Sequence, residues 1–350
     1  MAGAGAFGRN HLRVLRELEQ LGAGAALAAI VEPDAARAAE AAAKYGVPVF
    51  ASVDALLTAD LKLDAAVVAV PTVRHCAVAG ALLDAGLDVL VEKPLAANLA
   101  EADDLISRAE RRSRILQPGH LERFNPAVLA VEPRLKRPMF FEAHRLSVFT
   151  PRSLDVDVVL DLMIHDLDIV LAFTQSPVRE VRAVGLPIVS PRVDIANVRV
   201  EFESGCVANF TASRVSTERV RKLRFFEPRQ YVSIDYARQD LLVIRMDGSV
   251  PPEIAAAVAA GKLDAEALKK LMAGGAGPAP GLSFAKPEVT PGEPLRLEIE
   301  SFLDAVRTRR EPKVTARQGR AALALALEIQ AGMVAHAHRA GLGNFFNPVA

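Results

Sequence analysis

The sequence predicts two domains of different build: a parallel α/β sheet over residues 1–118, then an α+β domain over residues 119–350 with a large, mostly antiparallel sheet and flanking helices. Three observations predict this. In the first third, apolar strand-like runs alternate with Ala/Glu/Arg-rich helical stretches, the pattern of a parallel sheet covered on both faces. From about Phe140 the rhythm changes to short strands joined by polar turns, which predicts antiparallel pairing. At 350 residues the chain is long for one core and comfortable for two.

Gly3-Ala4-Gly5-Ala6-Phe7-Gly8 fits G-x-G-x-x-G and runs into a helical stretch, Asn10 to Leu21. Such glycines permit a tight turn and close approach of backbone amides to a pyrophosphate at a helix N-terminus, so the loop is a candidate dinucleotide cradle. An apolar strand, Ala25–Val31, follows and ends in Glu32. An acid there accepts hydrogen bonds from a ribose diol and repels a 2′-phosphate, which favours NAD. Only Met1 and Ala2 precede Gly3, so the first strand of this Rossmann-type sheet is expected to be missing. The remaining strands are Val47–Phe50, Ala65–Val70, Val89–Glu92 and Ile115–Gln117, separated by helices at Asp34–Tyr45, Arg74–Ala85 and Leu99–Arg112. Pro118-Gly119 ends the series.

In the second domain, strands are expected at Phe140–Val148, Val178–Val189, Asn197–Phe202, Cys206–Val215, Leu223–Phe226, Gln230–Asp235 and Leu241–Met246. A helix at Asp157–Thr174 should pack on that sheet. Pro251–Pro287 has the composition of an insertion, with a helical piece at Leu263–Met272 and a flexible run from Gly274 to Pro278. Two helices, Pro294–Arg309 and Thr315–His338, close the chain.

The chemistry concentrates in two places. Glu92-Lys93-Pro94 closes the apolar run Leu87–Val91, which puts a lysine at the rim of a sheet, where open α/β folds bind ligands. Asp161 and His165 stand at i, i+4, on one face of a helix. A cation, a carboxylate and an imidazole converging on one point are the parts of a proton transfer. Taken singly, each has a blander reading: a solvated strand-end lysine, a satisfied core histidine, a generic glycine turn. His75, His120 and His144 lack such company and read as structural, while His11, His336 and His338 read as surface or helix-end residues.

Lys+Arg and Asp+Glu each number 42, so no net field draws the protein to nucleic acid or an anionic membrane. The arginines between Arg214 and Arg229 form a local basic stretch that could meet a phosphorylated ligand or simply line a solvated strand. Cys76 and Cys206 are the only cysteines, which argues against a disulfide framework or structural zinc and fits a reducing cytoplasm. The apolar stretch Ala321–Ala337 is broken by Glu328, Gln330 and His336, so no membrane span is expected.

Taken together, the glycine loop, the strand-end acid, Glu92-Lys93-Pro94, Asp161-x-x-x-His165 and the β-rich second half resemble the Gfo/Idh/MocA oxidoreductases over nearly the whole chain. The resemblance implies hydride transfer from a carbinol carbon to NAD, with Lys93 as catalytic lysine, His165 as base and Asp161 tuning it. It places Gly3, Gly5, Ala6, Phe7, Gly8, Glu32, Pro71, Thr72, His75, Glu92 and Lys93 at the cofactor. It also implies a cis bond before Pro94 and a homodimer or homotetramer.

Gly119–Pro126 and Asp157–Asp166 are similar to a subgroup acting on a sugar nucleotide, the C3 hydroxyl of UDP-N-acetylglucosamine, in lipid A-type biosynthesis. Arg123, Asn125, Arg145 and Asp168 are then the expected substrate contacts. Met163 stands where many relatives have Gly and is expected to narrow the pocket. Myo-inositol or another polyol is the alternative substrate; an NAD-binding regulatory protein and an NAD-dependent glycosidase are alternatives of another class.

Overall fold

The computed structural model describes residues 1–59, 61–150, 156–246 and 282–342. The first sheet comprises β1 (Ile30–Val31), β2 (Val49–Phe50), β3 (Ala65–Val68), β4 (Asp88–Glu92) and β5 (Leu116–Gly119), all pairing in parallel. Helices α1 (Gly8–Gln20), α2 (Ala35–Tyr45), α3 (Val53–Thr58), α4 (His75–Asp84) and α5 (Leu99–Arg111) intervene. Capping explains their starts: Asp34, Ser52 and Asn98 each accept a backbone N–H three residues on.

The central position of this sheet, between β1 and β3, is held by Met1–Gly3. Ala2 bridges both Val31 and Val68, and the Ala2 and Gly3 amides donate to Val67 and Val31 at 2.8 Å. The strand expected to be missing is therefore represented by one bridged residue. Beside Met1, Ala25–Ala29 and Ala65–Val67 line a half-open cavity of about 780 Å³, together with Ile299, Phe302 and Val306. This explains why the expected strand Ala25–Val31 shortens to Ile30–Val31: pairing stops where the cavity begins.

The second sheet has β6 (Phe140–Leu146), β7 (Val178–Leu186), β8 (Ile195–Phe202), β9 (Val207–Ser213), β10 (Val220–Glu227), β11 (Gln230–Asp235), β12 (Asp240–Met246) and β13 (Leu282–Ala285). Their order is β13-β12-β11-β10-β6-β9-β8-β7, antiparallel except for the parallel pair β6–β9. Strand β6 alternates between half-buried and buried positions, and Phe141, Ala143 and Arg145 face inward. A short helix α6 (Pro126–Val131) follows the first domain; α7 (Ile164–Thr174), α8 (Pro294–Thr308) and α9 (Ala316–Arg339) complete the fold. Helix α9 packs on α7 and β7.

The last two helices reach back to the first sheet. Phe302 of α8 clusters with Val67 and Leu90, Ile299 with Val14 and Leu18, and Leu323 of α9 joins the core of β3 and β4. The ends of both sheets thereby meet around Lys93 and α7. The proposed helix Leu263–Met272 and the run Gly274–Pro278 lie outside the described residues. Among the described residues no helix is long and apolar enough to cross a membrane.

Candidate active site

At the carboxyl end of the first sheet, Gly3 has φ +94°, and a Cβ there would stand 2.5 Å from the Ala69 carbonyl oxygen. A Cβ on Gly8 would collide with the Gly3 carbonyl. These two glycines are thus required by close packing. Gly5 differs: nothing lies within 4 Å of where its Cβ would be, so its side is open to an approaching ligand. Helix α1 starts next to it without a side-chain cap; the Arg9 and Asn10 amides donate to the Gly5 and Phe7 carbonyls at 3.0 and 2.9 Å, so the amides ahead of them are those offered to an anion. Ala6 and Phe7 are exposed at this tip.

Glu32, at the end of β1, is buried. Its Oε2 accepts the Ala4 amide at 2.8 Å, and its Oε1 accepts the Asp34 amide at 3.0 Å and Arg37 Nη2 at 2.9 Å. Burial pushes this carboxyl up, but the hydrogen bonds from Arg37, Ala4 and Asp34 outweigh it and hold the pKa below the usual value. Across the cleft, Pro71 is exposed and Thr72 half-buried. His75 lies behind them, buried, with Nδ1 2.9 Å from the Pro94 carbonyl and Nε2 3.0 Å from that of Val70. It ties together the loops after β3 and β4. Its burial lowers its pKa.

The peptide Lys93-Pro94 is cis. Lys93 Nζ donates to the carbonyl oxygens of Asp161 at 2.7 Å and Leu160 at 3.4 Å, and lies 3.9 Å from Asp161 Oδ1. These carbonyls are available because Val159–Met163 is a π-helical turn, not the α-helix expected there. Asp157 starts the turn by accepting the Val159 and Leu160 amides at 2.8 and 3.1 Å. Desolvation lowers the Lys93 pKa, while Asp161 and Glu92 pull it back up.

His165, in the first turn of α7, is half-buried, with Nδ1 buried and unpartnered. Desolvation, then the charges of Lys93 and Arg145, His120 and Arg221, hold its pKa well below the ordinary value. The structure therefore sets Lys93 against Asp161, with the lysine charge reaching His165; Asp161, expected to tune His165, engages Lys93 instead.

Behind this trio lies a buried polar layer. His120 and Asp168 approach to 4.0 Å, Arg123 and Asp168 to 3.7 Å. His11 Nε2 sits 2.7 Å from Glu92 Oε1. Glu298 of α8 is fully buried, and neither carboxyl oxygen has a partner. Desolvation and the nearby Glu92 and Asp168 raise its pKa well above the usual carboxylate value, which favours the protonated form.

Among the expected substrate contacts, Arg145 is buried and forks onto Asp166 at 2.7 and 3.0 Å, with Glu122 at 2.9 Å. Asn125 caps α6 through the Ala127 amide and donates to Glu122 and the Tyr236 carbonyl. Arg123, Asn125, Arg145 and Asp168 are all buried, engaged with protein groups beneath the trio. Met163, expected to narrow the pocket, packs in the second-sheet core instead.

His11 corrects another expectation: it is wholly buried, its ring 5.4 Å from Phe7. His120, expected to be structural, lies within electrostatic reach of Lys93 and Asp168. Sequence periodicity carried no signal for either, since both partners come from distant segments.

The family model described as "Oxidoreductase family, NAD-binding Rossmann fold" matches residues 1–120, and the "GFO/IDH/MocA C-terminal domain" matches residues 128–229. The UDP-N-acetylglucosamine 3-dehydrogenase of Acidithiobacillus ferrooxidans is 35% identical over 96% of this chain and 97% of its own. Its solved structure aligns with a TM-score of 0.81 at 34% identity, covering 95% of this chain and 96% of that one. An inositol 2-dehydrogenase of Leifsonia xyli is 35% identical over 52% of this chain and 54% of its own. The WlbA dehydrogenase of Bordetella pertussis, solved with NADH and UDP-GlcNAcA, shares the fold at TM-score 0.71 and 17% identity, over 95% of this chain and 94% of that one.

Proposed function

The chain belongs to the Gfo/Idh/MocA oxidoreductase family, and from that premise we propose that it oxidises the C3 hydroxyl of UDP-N-acetylglucosamine to the 3-keto sugar with NAD. The observation that carries the reaction type is the meeting of Lys93 with the helix that holds Asp161 and His165. Similarity along the whole chain to a UDP-N-acetylglucosamine 3-dehydrogenase supports the substrate, whereas likeness to the inositol dehydrogenase spans about half.

Gly3, Gly5, Ala6, Phe7 and Gly8 would hold the cofactor pyrophosphate, Glu32 a ribose, and Pro71, Thr72, Glu92 and Lys93 the nicotinamide side. The open flank of Gly5 and the uncapped start of α1 fit that group. Bound NAD supplies the acceptor for the carbinol hydride. His165 takes the hydroxyl proton; with Nδ1 buried, Nε2 is the nitrogen offered to substrate. Lys93, carrying its positive charge, stabilises the developing alkoxide. Asp161 holds that ammonium and offsets part of its desolvation. Arg123, Asn125, Arg145 and Asp168 support this wall from behind.

The test is NADH formation from NAD with UDP-N-acetylglucosamine, run beside myo-inositol. A 3-keto-sugar aminotransferase and glutamate are added to withdraw product. Absorbance growth with the sugar nucleotide and none with inositol is expected; the reverse result sinks the substrate assignment.

A further inference from the structure

We propose that Arg221 is the anchor for the phosphates of an anionic substrate, beside His165. The inference rests on the sugar-nucleotide reading above and names the group that would select it.

Strand β10 places this residue. Its odd positions Leu223 and Phe225 are buried against the core, while Lys222 and Arg224 lie on the opposite face. Arg221 shares the inward set, and its partner across the ladder is Arg145. Arg145 on that same face grips Asp166 of α7, directly after His165. Arg221 thus lies directly across the ladder from the arginine that grips α7 one residue past His165. Consistent with that placement, its charge is among those that lower the His165 pKa.

The charge of Arg221 is not answered by the protein. Lys222 approaches Asp235 at 3.9 Å and Arg224 approaches Glu142 at 3.7 Å, but among the described residues no carboxylate pairs with Arg221. The carboxylates that act on it, Glu122 and Asp166, are already committed to Arg145. Arg221 is exposed, yet partial burial and its like-charged neighbours Arg145 and Arg219 lower its pKa. Even with its carboxylates, Arg145 lowers the Arg221 pKa, as like charges in register on one sheet face repel. A diphosphate offers the planar fork two oxygens and removes that repulsion. It also cancels part of the positive field at His165, so an anionic substrate strengthens the base that will attack it. A neutral polyol does neither.

The test titrates UDP, and separately uridine, into the NADH-loaded full chain and into R221Q and R221K, following heat. Wild type should bind UDP at least tenfold tighter than uridine. R221Q should lose about 10- to 100-fold of the UDP affinity, the range for a charge-assisted hydrogen-bonded fork, with uridine and NADH binding unchanged. R221K should lose less. The acid limb of kcat/KM in R221Q should move to higher pH, because a positive charge near the base is gone. Equal UDP affinity in R221Q and wild type, or a wild type that does not distinguish UDP from uridine, overturns the inference. A wild type that binds UDP through Arg221 but forms no NADH from UDP-N-acetylglucosamine keeps this subsite and sinks the substrate reading.

Discussion

Lys93 Nζ lies 2.7 Å from the backbone oxygen of Asp161 and 3.9 Å from its carboxylate, so one residue holds the ammonium through both its main chain and its side chain. The main-chain contact fixes position; the carboxylate offsets part of the lowering of the lysine pKa by burial. From this arrangement comes the first expectation. Lys93→Ala should lower kcat by about 10²- to 10³-fold, the range for losing one donor to a developing oxyanion, while NADH affinity, read by fluorescence, stays put. Turnover within a factor of ten of wild type would show that the lysine is not at the reacting oxygen.

His165 should keep the reaction running on the acid side of neutrality. Its folded pKa lies well below the ordinary imidazole value, through desolvation and then Lys93, so the ring is neutral and competent throughout the physiological range. The kcat/KM profile should be flat through pH 6.5 and fall only at lower pH. The same depression has a stability sign: the unfolded ring takes up a proton first, so stability present above the unfolded pKa is lost as pH falls towards the folded one. His165→Asn should cost about 10²- to 10⁴-fold in kcat; an acid limb at or above the ordinary imidazole value would sink the assignment.

Cofactor choice should turn on Glu32. Its carboxylate neutralises Arg37, 2.9 Å away. Glu32→Ser removes the repulsion of a 2′-phosphate and frees Arg37 to attract one. The ratio of kcat/KM for NADP over NAD should rise at least tenfold. An unchanged ratio would place the ribose elsewhere.

Glu298 should make wild type less stable as pH rises. Its folded pKa is raised by desolvation, Glu92 and Asp168, so stability is full below the unfolded carboxyl pKa and falls as pH climbs towards the folded value. The slope in that window is about 1.4 kcal/mol per pH unit. Glu298→Gln keeps the shape and removes the titration. Urea melts of the two proteins should coincide near pH 4.5 and separate at pH 8, with the Gln variant more stable; parallel curves would mean that Glu298 ionises freely.

Much of this was legible in the chain. Leu87–Val91 announced a buried strand because a short Val-rich run, broken only by Asp88 and bounded by Gly86 and Pro94, fits a strand better than a helix, and β4 is buried at every position. Lys93 and His165 were readable because each carries its signal in adjacent residues. Arg145 was not: its pattern on β6 is that of a core position, and whether a guanidinium there meets solvent or a carboxylate depends on which helix the sheet packs against. Asp166 answers that from a separate segment. Glu298 belongs to the pattern by which the last two helices resemble the family, but its burial within the fields of Glu92 and Asp168 was hidden for the same reason, since they come from other segments. The expected strand Ala25–Val31 failed over most of its length, since β-propensity cannot supply a neighbour to pair with.

The π-helical turn at Val159–Met163 makes the site sensitive to length as well as to composition. A π turn carries one residue more than an α turn over the same rise, so removing a single residue between Val158 and Ile164 would let the segment relax to α-helix. The helix on either side would keep its facing, because the extra residue is taken up within the turn itself. The change would fall on Leu160 and Asp161, which would lose the π register in which their carbonyl oxygens reach Lys93. A one-residue deletion would thus release the lysine while α7 stays pinned in the core through Ile164 and Leu167.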